Sequence, residues 1–179
     1  MKRAIRKGAH LLLLAAGLLS ACGFHLRGTG QYQMSPAFDT LRIMVEGNQQ
    51  QNDPLLVAMK NALRAQTDVK IEDTADAPLL LLFGEKIENQ ILSVSSTGKA
   101  DQYLMMYEVS FRLVGKDNKP LSEPQTIKLQ RSYTFDRLNV LGMEKVATEL
   151  RSEMQRDAVQ QILRRLSRIV PENSHADQR

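Results

Sequence analysis

The sequence has little of the side-chain chemistry on which most enzymes depend. Its 179 residues include one cysteine, three histidines and no tryptophan. A single thiol cannot form an intramolecular disulfide, and no Cys/His cluster exists that could hold zinc. The histidines, His10, His25 and His175, lie near the two ends of the chain, where a packed catalytic pocket is not expected. We therefore expect neither a catalytic residue nor a metal site.

The chain also lacks net charge once its first segment is set aside. The formal charge is +4, from 24 Lys and Arg against 20 Asp and Glu. Four of the 24 basic residues and none of the acids precede Ala21, so 20 of each sign remain after it. A body with no net charge exerts no long-range pull on a polyanion, so a nucleic-acid partner is not expected.

Residues 1–21 have the layout of a secretory signal peptide: a basic start, an apolar run at residues 11–19, and then Ser20-Ala21-Cys22. The apolar run is too short to form a permanent transmembrane helix across a bilayer core of about 30 Å. Leu19 to Cys22 resembles the lipobox of bacterial lipoproteins. That resemblance implies removal of residues 1–21, with a diacylglycerol and an N-acyl chain attached to Cys22. Gly23, in place of an aspartate, implies sorting to the outer membrane.

The chain after the signal peptide divides into three parts. Residues 22–36 contain Gly28, Gly30 and Pro36 and are predicted to be a lipidated N-terminus with a tether. Residues 37–170 are predicted to be one folded domain, and residues 171–179 a polar tail.

Alternation of apolar and polar residues predicts strands at Thr40–Val45, from Leu79 through Glu88, over 103–113 and over 126–135. Asp53 followed by Pro54 predicts a helix start, and this helix should run to about Gln66. A second, long helix is predicted from about Met143 to Ile169. Its expected apolar stripe is Val146, Leu150, Met154, Ala158, Ile162, Leu166 and Ile169. The order β-α-β-β-β-α predicts an α+β two-layer sandwich, with a four-stranded, mainly antiparallel sheet and two helices on one face.

Three basic residues are of interest in this fold. Lys99 belongs to a predicted hairpin turn, and Lys128 and Arg131 to the last strand. Arg131 falls on the apolar side of that strand's alternation. It is therefore expected either to extend to water at a sheet edge or to meet a buried carboxylate.

The stretch CGFHLRG at Cys22–Gly28, the segment Ser95–Tyr103, and Gln130–Tyr133 before a long helix together resemble the family of lipopolysaccharide-assembly lipoproteins called LptE, or RlpB. The resemblance implies a non-catalytic outer-membrane lipoprotein. It would lie as a plug inside the β-barrel LptD and assist delivery of lipopolysaccharide to the outer leaflet. It also implies that basic residues bind lipopolysaccharide, which carries over here to Lys99, Lys128 and Arg131. A lysine binds a phosphate only as a point charge, without the paired hydrogen bonds that an arginine forms.

Two other functions stay open at this point. One is a free-standing, periplasm-facing lipoprotein that carries lipids or supports another envelope assembly machine. The other is a lipid-modified hydrolase with an all-carboxylate site, which the scarcity of histidine and cysteine disfavours.

Overall fold

The computed structural model describes residues 32–47, 52–96, 98–136 and 140–169, with the backbone alone at 140 and 141. All of them belong to one compact unit of the chain, residues 31–179. The strands are β1 (Thr40–Val45), β2 (Lys70–Ile71), β3 (Leu79–Val94), β4 (Ala100–Val114) and β5 (Gln125–Thr134). The helices are α1 (Pro54–Gln66), α2 (Val140–Leu166) and a short 3-10 helix at Pro36–Phe38.

The strands form one sheet in the order β2-β1-β3-β4-β5. β1 is parallel to both of its neighbours, and the longer pairings of β4 with β3 and β5 are antiparallel. The predicted α+β sandwich is confirmed. The predicted count of four strands is wrong, since the described chain contains five. The additional strand, β2, has two residues, which is too short for a pattern of alternation to show.

Local chemistry fixes the ends of α1 as the sequence predicts. The backbone N–H of Leu56 donates a 2.9 Å hydrogen bond to Oδ1 of Asp53, and Pro54 takes the first helical position. At the other end the Thr67 hydroxyl donates to the carbonyl oxygen of Leu63 over 2.7 Å. The buried face of α1 consists of Leu55, Leu56, Met59, Ala62 and Leu63.

The core lies between the two helices and one face of the sheet. Alternate residues of β4 from Met105 to Leu113 are buried there, beside Leu80 and Leu82 of β3 and Ile127 of β5. Tyr103, which continues the same alternation, lies closer to the surface and stacks on Tyr133 at 5.7 Å between ring centroids. The opposite face of the sheet, which we call the open face, carries partly or fully exposed side chains.

The helix α2 begins at Val140, three residues earlier than predicted, and includes Gly142. Four members of the predicted stripe are buried: Met154, Ala158, Ile162 and Leu166. Val146 is 41% exposed, so its place in that stripe is wrong. Leu150 and Ile169, also members of the predicted stripe, pack partly against the core. Ala147 does so in place of Val146, because the buried face is rotated slightly from the predicted one.

Strands β3, β4 and β5 extend beyond β1 and β2. β1 pairs with β3 only from Leu79 to Leu82, and a register shift follows between Phe83 and Lys86. Gly84 lies in this bulge with φ +63°, a backbone conformation that glycine adopts without strain. Past the bulge β3, β4 and β5 continue as a narrower ribbon.

Part of the predicted tether is visible at the start of the described chain. The N–H of Tyr32 donates a 2.7 Å hydrogen bond to the carbonyl oxygen of Gln66, and Tyr32 and Met34 pack against the core. The signal peptide, Cys22, residues 23–31 and the predicted tail lie outside the described residues. No helix in the described ranges combines the length and the apolar character that crossing a membrane requires.

Candidate functional site: basic residues of the sheet

Lys99 lies in the turn between β3 and β4. The N–H of Ser95 donates to the carbonyl oxygen of Lys99 over 2.8 Å, and the N–H of Gly98 donates to the Ser95 oxygen over 2.9 Å. Gly98 has φ +73°, which suits a tight turn. The turn therefore holds the Lys99 side chain exposed at the far end of the hairpin, with no ion pair to any residue that the structure describes.

Lys128 lies on the open face, next to β4. Its Nζ is 3.0 Å from Oε2 of Glu108, its register partner, and the two side chains are 71% and 42% exposed. An ion pair this exposed contributes little to stability, about 0–1 kcal/mol. Lys128 can therefore exchange Glu108 for another anion at small cost.

Arg131 points to the side of the sheet on which the helices pack. Its Nη2 donates a 2.8 Å hydrogen bond to Oδ2 of Asp157 on α2, and its Nη1 donates to the carbonyl oxygen of Gln130. The expected carboxylate partner exists, yet it is half exposed and not buried. β5 is an edge strand, so a long side chain on its helix side reaches the flank of α2 before it reaches the core.

The structure does not bring the three predicted residues into one cluster. Lys128 and Arg131 are three residues apart on one strand, roughly 10 Å, and point to opposite faces. Lys99 lies beyond both, in the hairpin turn. Binding of lipopolysaccharide by these residues stays a prediction, and a ligand touching all three would have to wrap around the edge strand β5.

The open face also carries a second lysine in an ion pair. Lys86 Nζ is 2.6 Å from Oε1 of Glu88, and the hydrogen bond that Lys86 donates to this carboxylate raises the pKa of Lys86. Together with Lys128 and Glu108, this pair gives the open face just past the bulge a balanced charge. Within the described ranges no group of three or more His, Cys, Asp or Glu side chains comes together in a way that could hold a metal ion.

Two arginines that the sequence reasoning did not single out also lie on the open face. Arg42 belongs to β1 and Arg112 to β4, on either side of β3. In each of them Nε is enclosed and has no hydrogen-bond partner. The sequence does indicate the face on which they lie. Each arginine stands between two buried apolar residues of its strand, so its side chain can be assigned to the open face from the alternation.

The comparison with known proteins agrees with this fold. The family model described as LptE, lipopolysaccharide-assembly, matches residues 38–166. The LPS-assembly lipoprotein LptE of Pectobacterium atrosepticum is 32% identical over 161 residues, which is 87% of this chain and 82% of that protein. The protein of the same name from Yersinia enterocolitica is 28% identical, over 87% of this chain and 73% of its own.

Solved structures of lipoproteins share the architecture. A lipoprotein B from Nitrosomonas europaea, solved by NMR, superimposes with a TM-score of 0.66 at 27% identity and covers 81% of this chain and 90% of its own. A minor lipoprotein from Acinetobacter baumannii gives a TM-score of 0.61 at 25% identity, over 73% of this chain and 91% of its own. The family match spans both helices and all five strands of the described domain, and the chain belongs to the LptE family.

Proposed function

We propose that this protein is an outer-membrane lipoprotein that plugs and supports the β-barrel LptD and assists delivery of lipopolysaccharide to the outer leaflet. The observation that carries the proposal is the family match over residues 38–166, on a chain whose Leu19 to Cys22 resembles a lipobox. Relatives that align over most of this chain are named lipopolysaccharide-assembly lipoproteins.

The charge distribution of the folded domain supports a place inside a polar barrel. The sequence after Ala21 has as many basic as acidic residues, and the described ion pairs are exposed ones. The lumen of an outer-membrane barrel is lined by polar side chains. A plug with balanced, exposed charges can form polar contacts with such a lining on several sides without a large desolvation cost.

The proposed lipid anchor sets how far the domain can lie from the bilayer. Each methylene group that the acyl chains on Cys22 bury in the bilayer would contribute about 0.8 kcal/mol of binding free energy, and several chains together make the attachment effectively permanent. Residues 22–31 span at most about 35 Å when extended. The first described residue, Tyr32, is bonded to the end of α1, so that end of the domain stays within this distance of the membrane.

The protein would act by binding and positioning. The sequence offers no thiol or histidine in the folded domain for covalent or acid–base catalysis, since Cys22 and all three histidines lie outside residues 32–169. Ion pairs such as Lys128 with Glu108 can be traded for contacts to a phosphate.

Affinity purification from detergent-solubilised outer membrane tests the proposal. The tagged, lipidated protein should recover a large β-barrel in equimolar amount. A matched sample of a tagged outer-membrane lipoprotein of another fold, processed in parallel, controls for barrels that adhere to any lipoprotein. Recovery of this protein alone, as a monomer in mild detergent, would contradict the plug and favour the free-standing carrier.

A further inference from the structure

The bulge in β3 divides the open face into two parts of different chemistry. Past the bulge the lysines Lys86 and Lys128 are paired with acids. Before the bulge the side chains of Arg42 and Arg112 form no ion pair with any residue that the structure describes, and the Nε of each has no hydrogen-bond partner there. We call this second part, which comprises Arg42, Met44, Leu79, Leu81, Phe83 and Arg112, the arginine floor.

One nitrogen of each guanidinium group is held in an unfavourable state. The Nε of Arg42 and that of Arg112 are enclosed by protein and have no acceptor. A buried donor without a partner destabilises the folded state, and more so when the group is charged. A methionine would cover the same apolar surface without this cost, because it has a similar unbranched stem and no buried polar group. The arginines are therefore poor choices for packing alone.

Their surroundings are apolar. Register places Met44 beside Leu81 on one side and Arg112 beside Leu81 on the other, with Arg42 beside Leu79. Met44 is 46% exposed, and the leucines are partly exposed. The Arg112 guanidinium carbon lies 5.7 Å from the centroid of the Phe83 ring, which fixes that cation over an aromatic face.

The spacing of the arginines suits a group that both can reach. They are two strands apart laterally and two residues apart along the sheet, which separates their Cα atoms by roughly 12 Å. Two arginine side chains extended toward each other cover this distance. The carboxylate nearest to Arg42 by register is Glu72, which follows β2 and forms no ion pair with it in the described structure.

We propose that the arginine floor binds a phosphorylated, acyl-bearing lipid, with the phosphate between Arg42 and Arg112 and an acyl chain along Met44, Leu81 and Phe83. A phosphate monoester accepts hydrogen bonds from several directions, and arginine is the cation that matches it best. The apolar floor between the cations favours a lipid over a free phosphate. This site is separate from Lys99, Lys128 and Arg131, and it deepens the proposed function by naming the chemistry of the lipid.

Calorimetric titration of the mature, lipidated protein tests the site. The protein is held in n-dodecyl maltoside micelles and titrated with n-dodecyl phosphate dissolved in the same micelles. We expect one saturable site. Arg42→Met and Arg112→Met should each weaken it about tenfold, the loss of one charge-assisted contact. Glu72→Gln should strengthen binding, because it removes a neighbouring negative charge. Arg164→Met, which removes the same charge from the exposed side of α2, is the matched control and should leave binding unchanged.

The methionine variants also keep the test independent of folding. Thermal unfolding should show Arg42→Met/Arg112→Met to be at least as stable as the parent, since the enclosed Nε atoms are gone. If the methionine substitutions disturb the sheet, the variant Arg42→Lys/Arg112→Lys is used in their place. Lysine keeps the positive charge but lacks the planar guanidinium group, so this variant should still lose part of its affinity for the phosphate.

Several results would overturn the proposal. One is unchanged affinity for n-dodecyl phosphate in the folded double methionine variant. Another is inorganic phosphate binding as tightly as n-dodecyl phosphate, since the acyl chain would then contribute nothing. A third is a double variant that keeps its lipid affinity and loses the barrel, which would make the floor a protein contact. A double methionine variant that loses affinity for n-dodecyl phosphate but still co-purifies with the barrel supports the site. If the parent protein itself does not co-purify with a barrel, that result counts against the proposed function and not against the lipid site.

Discussion

The hydroxyl of Tyr107 donates a 2.8 Å hydrogen bond to Oε1 of Glu85. Nε2 of Gln155 donates to the same oxygen, also over 2.8 Å. Glu85 follows Gly84 in the bulge of β3, Tyr107 is on β4 with 1% of its surface exposed, and Gln155 is on α2. One carboxylate oxygen therefore links the long hairpin to the long helix at the point where the sheet narrows.

Removing this acceptor should destabilise the domain. Glu85→Ala leaves the buried Tyr107 hydroxyl without an acceptor, and we expect a loss of about 1–3 kcal/mol in the free energy of unfolding. Tyr107→Phe should cost less, because the exposed Glu85 carboxylate can return to water. Urea unfolding of both single variants and the double variant measures the coupling. Strictly additive losses would show that the hydrogen bond contributes nothing to stability.

Tyr107 should titrate unusually late. Burial, reinforced by the neighbouring Glu85 carboxylate, raises the pKa of Tyr107 far above its ordinary value near 10. A group whose pKa is raised by folding stabilises the protein fully below its unfolded pKa, and this contribution is lost as the pH rises above it. Stability should therefore fall above about pH 10 as Tyr107 ionises in the unfolded chain.

Absorbance at 295 nm follows this titration among the four tyrosines of the chain. Tyr107→Phe should remove the latest step and flatten the loss of stability above about pH 10. The pKa of Tyr133 is also raised, by burial and by Tyr103, so Tyr133→Phe is the matched control, with a smaller effect. If every tyrosine of the folded protein titrates together near 10, the burial assigned to Tyr107 is wrong.

Buried and exposed positions on β3 should respond differently to truncation. Leu80→Ala empties a fully buried position on β3 and should cost about 2–5 kcal/mol. Ile91→Ala, on the same strand but 61% exposed, should change stability by about 0.5 kcal/mol or less. Urea denaturation of the two variants makes the comparison. Similar losses at the two positions would contradict the burial of Leu80 in the core.

Sequence reasoning recovered what depends on local chemistry. The Asp53-Pro54 start of α1, the limits of β1 and the turn at Ser95–Lys99 follow from residues close together in the chain. β2 was missed because two residues carry no period. The partner of Arg131 was open because Asp157 is 26 residues away, and only the packing of α2 beside the edge strand brings the two side chains together.

The same limit applied to the candidate site. The polar alternation of β4 and β5 correctly separated the two faces, so the position of Lys128 on the open face was predictable. The arginine floor was not, because Arg42 and Arg112 are 70 positions apart and become neighbours only through β3. The fact that their Nε atoms lack partners is a property of packing that no sequence pattern expresses.

Charge reversal tests whether Lys128 and Arg131 bind lipopolysaccharide. Lys128→Glu and Arg131→Glu should each weaken binding of purified lipopolysaccharide, while the far-UV circular dichroism stays that of the parent. Each reversal also places a new carboxylate beside an existing one, Glu108 in the first variant and Asp157 in the second. A small loss of stability, about 0.5 kcal/mol, is expected from this repulsion alone.

Swapped pairs separate the ligand contact from the ion pair. Lys128→Glu/Glu108→Lys and Arg131→Glu/Asp157→Arg restore the internal attraction but move the positive charge to the neighbouring element. If the cation at 128 or 131 contacts the lipid, the swap should recover stability and leave binding weak. If the swap recovers binding as well, the ion pair and not the ligand contact was lost in the single variant. Unaltered binding in Lys128→Glu/Arg131→Glu would remove both residues from the site.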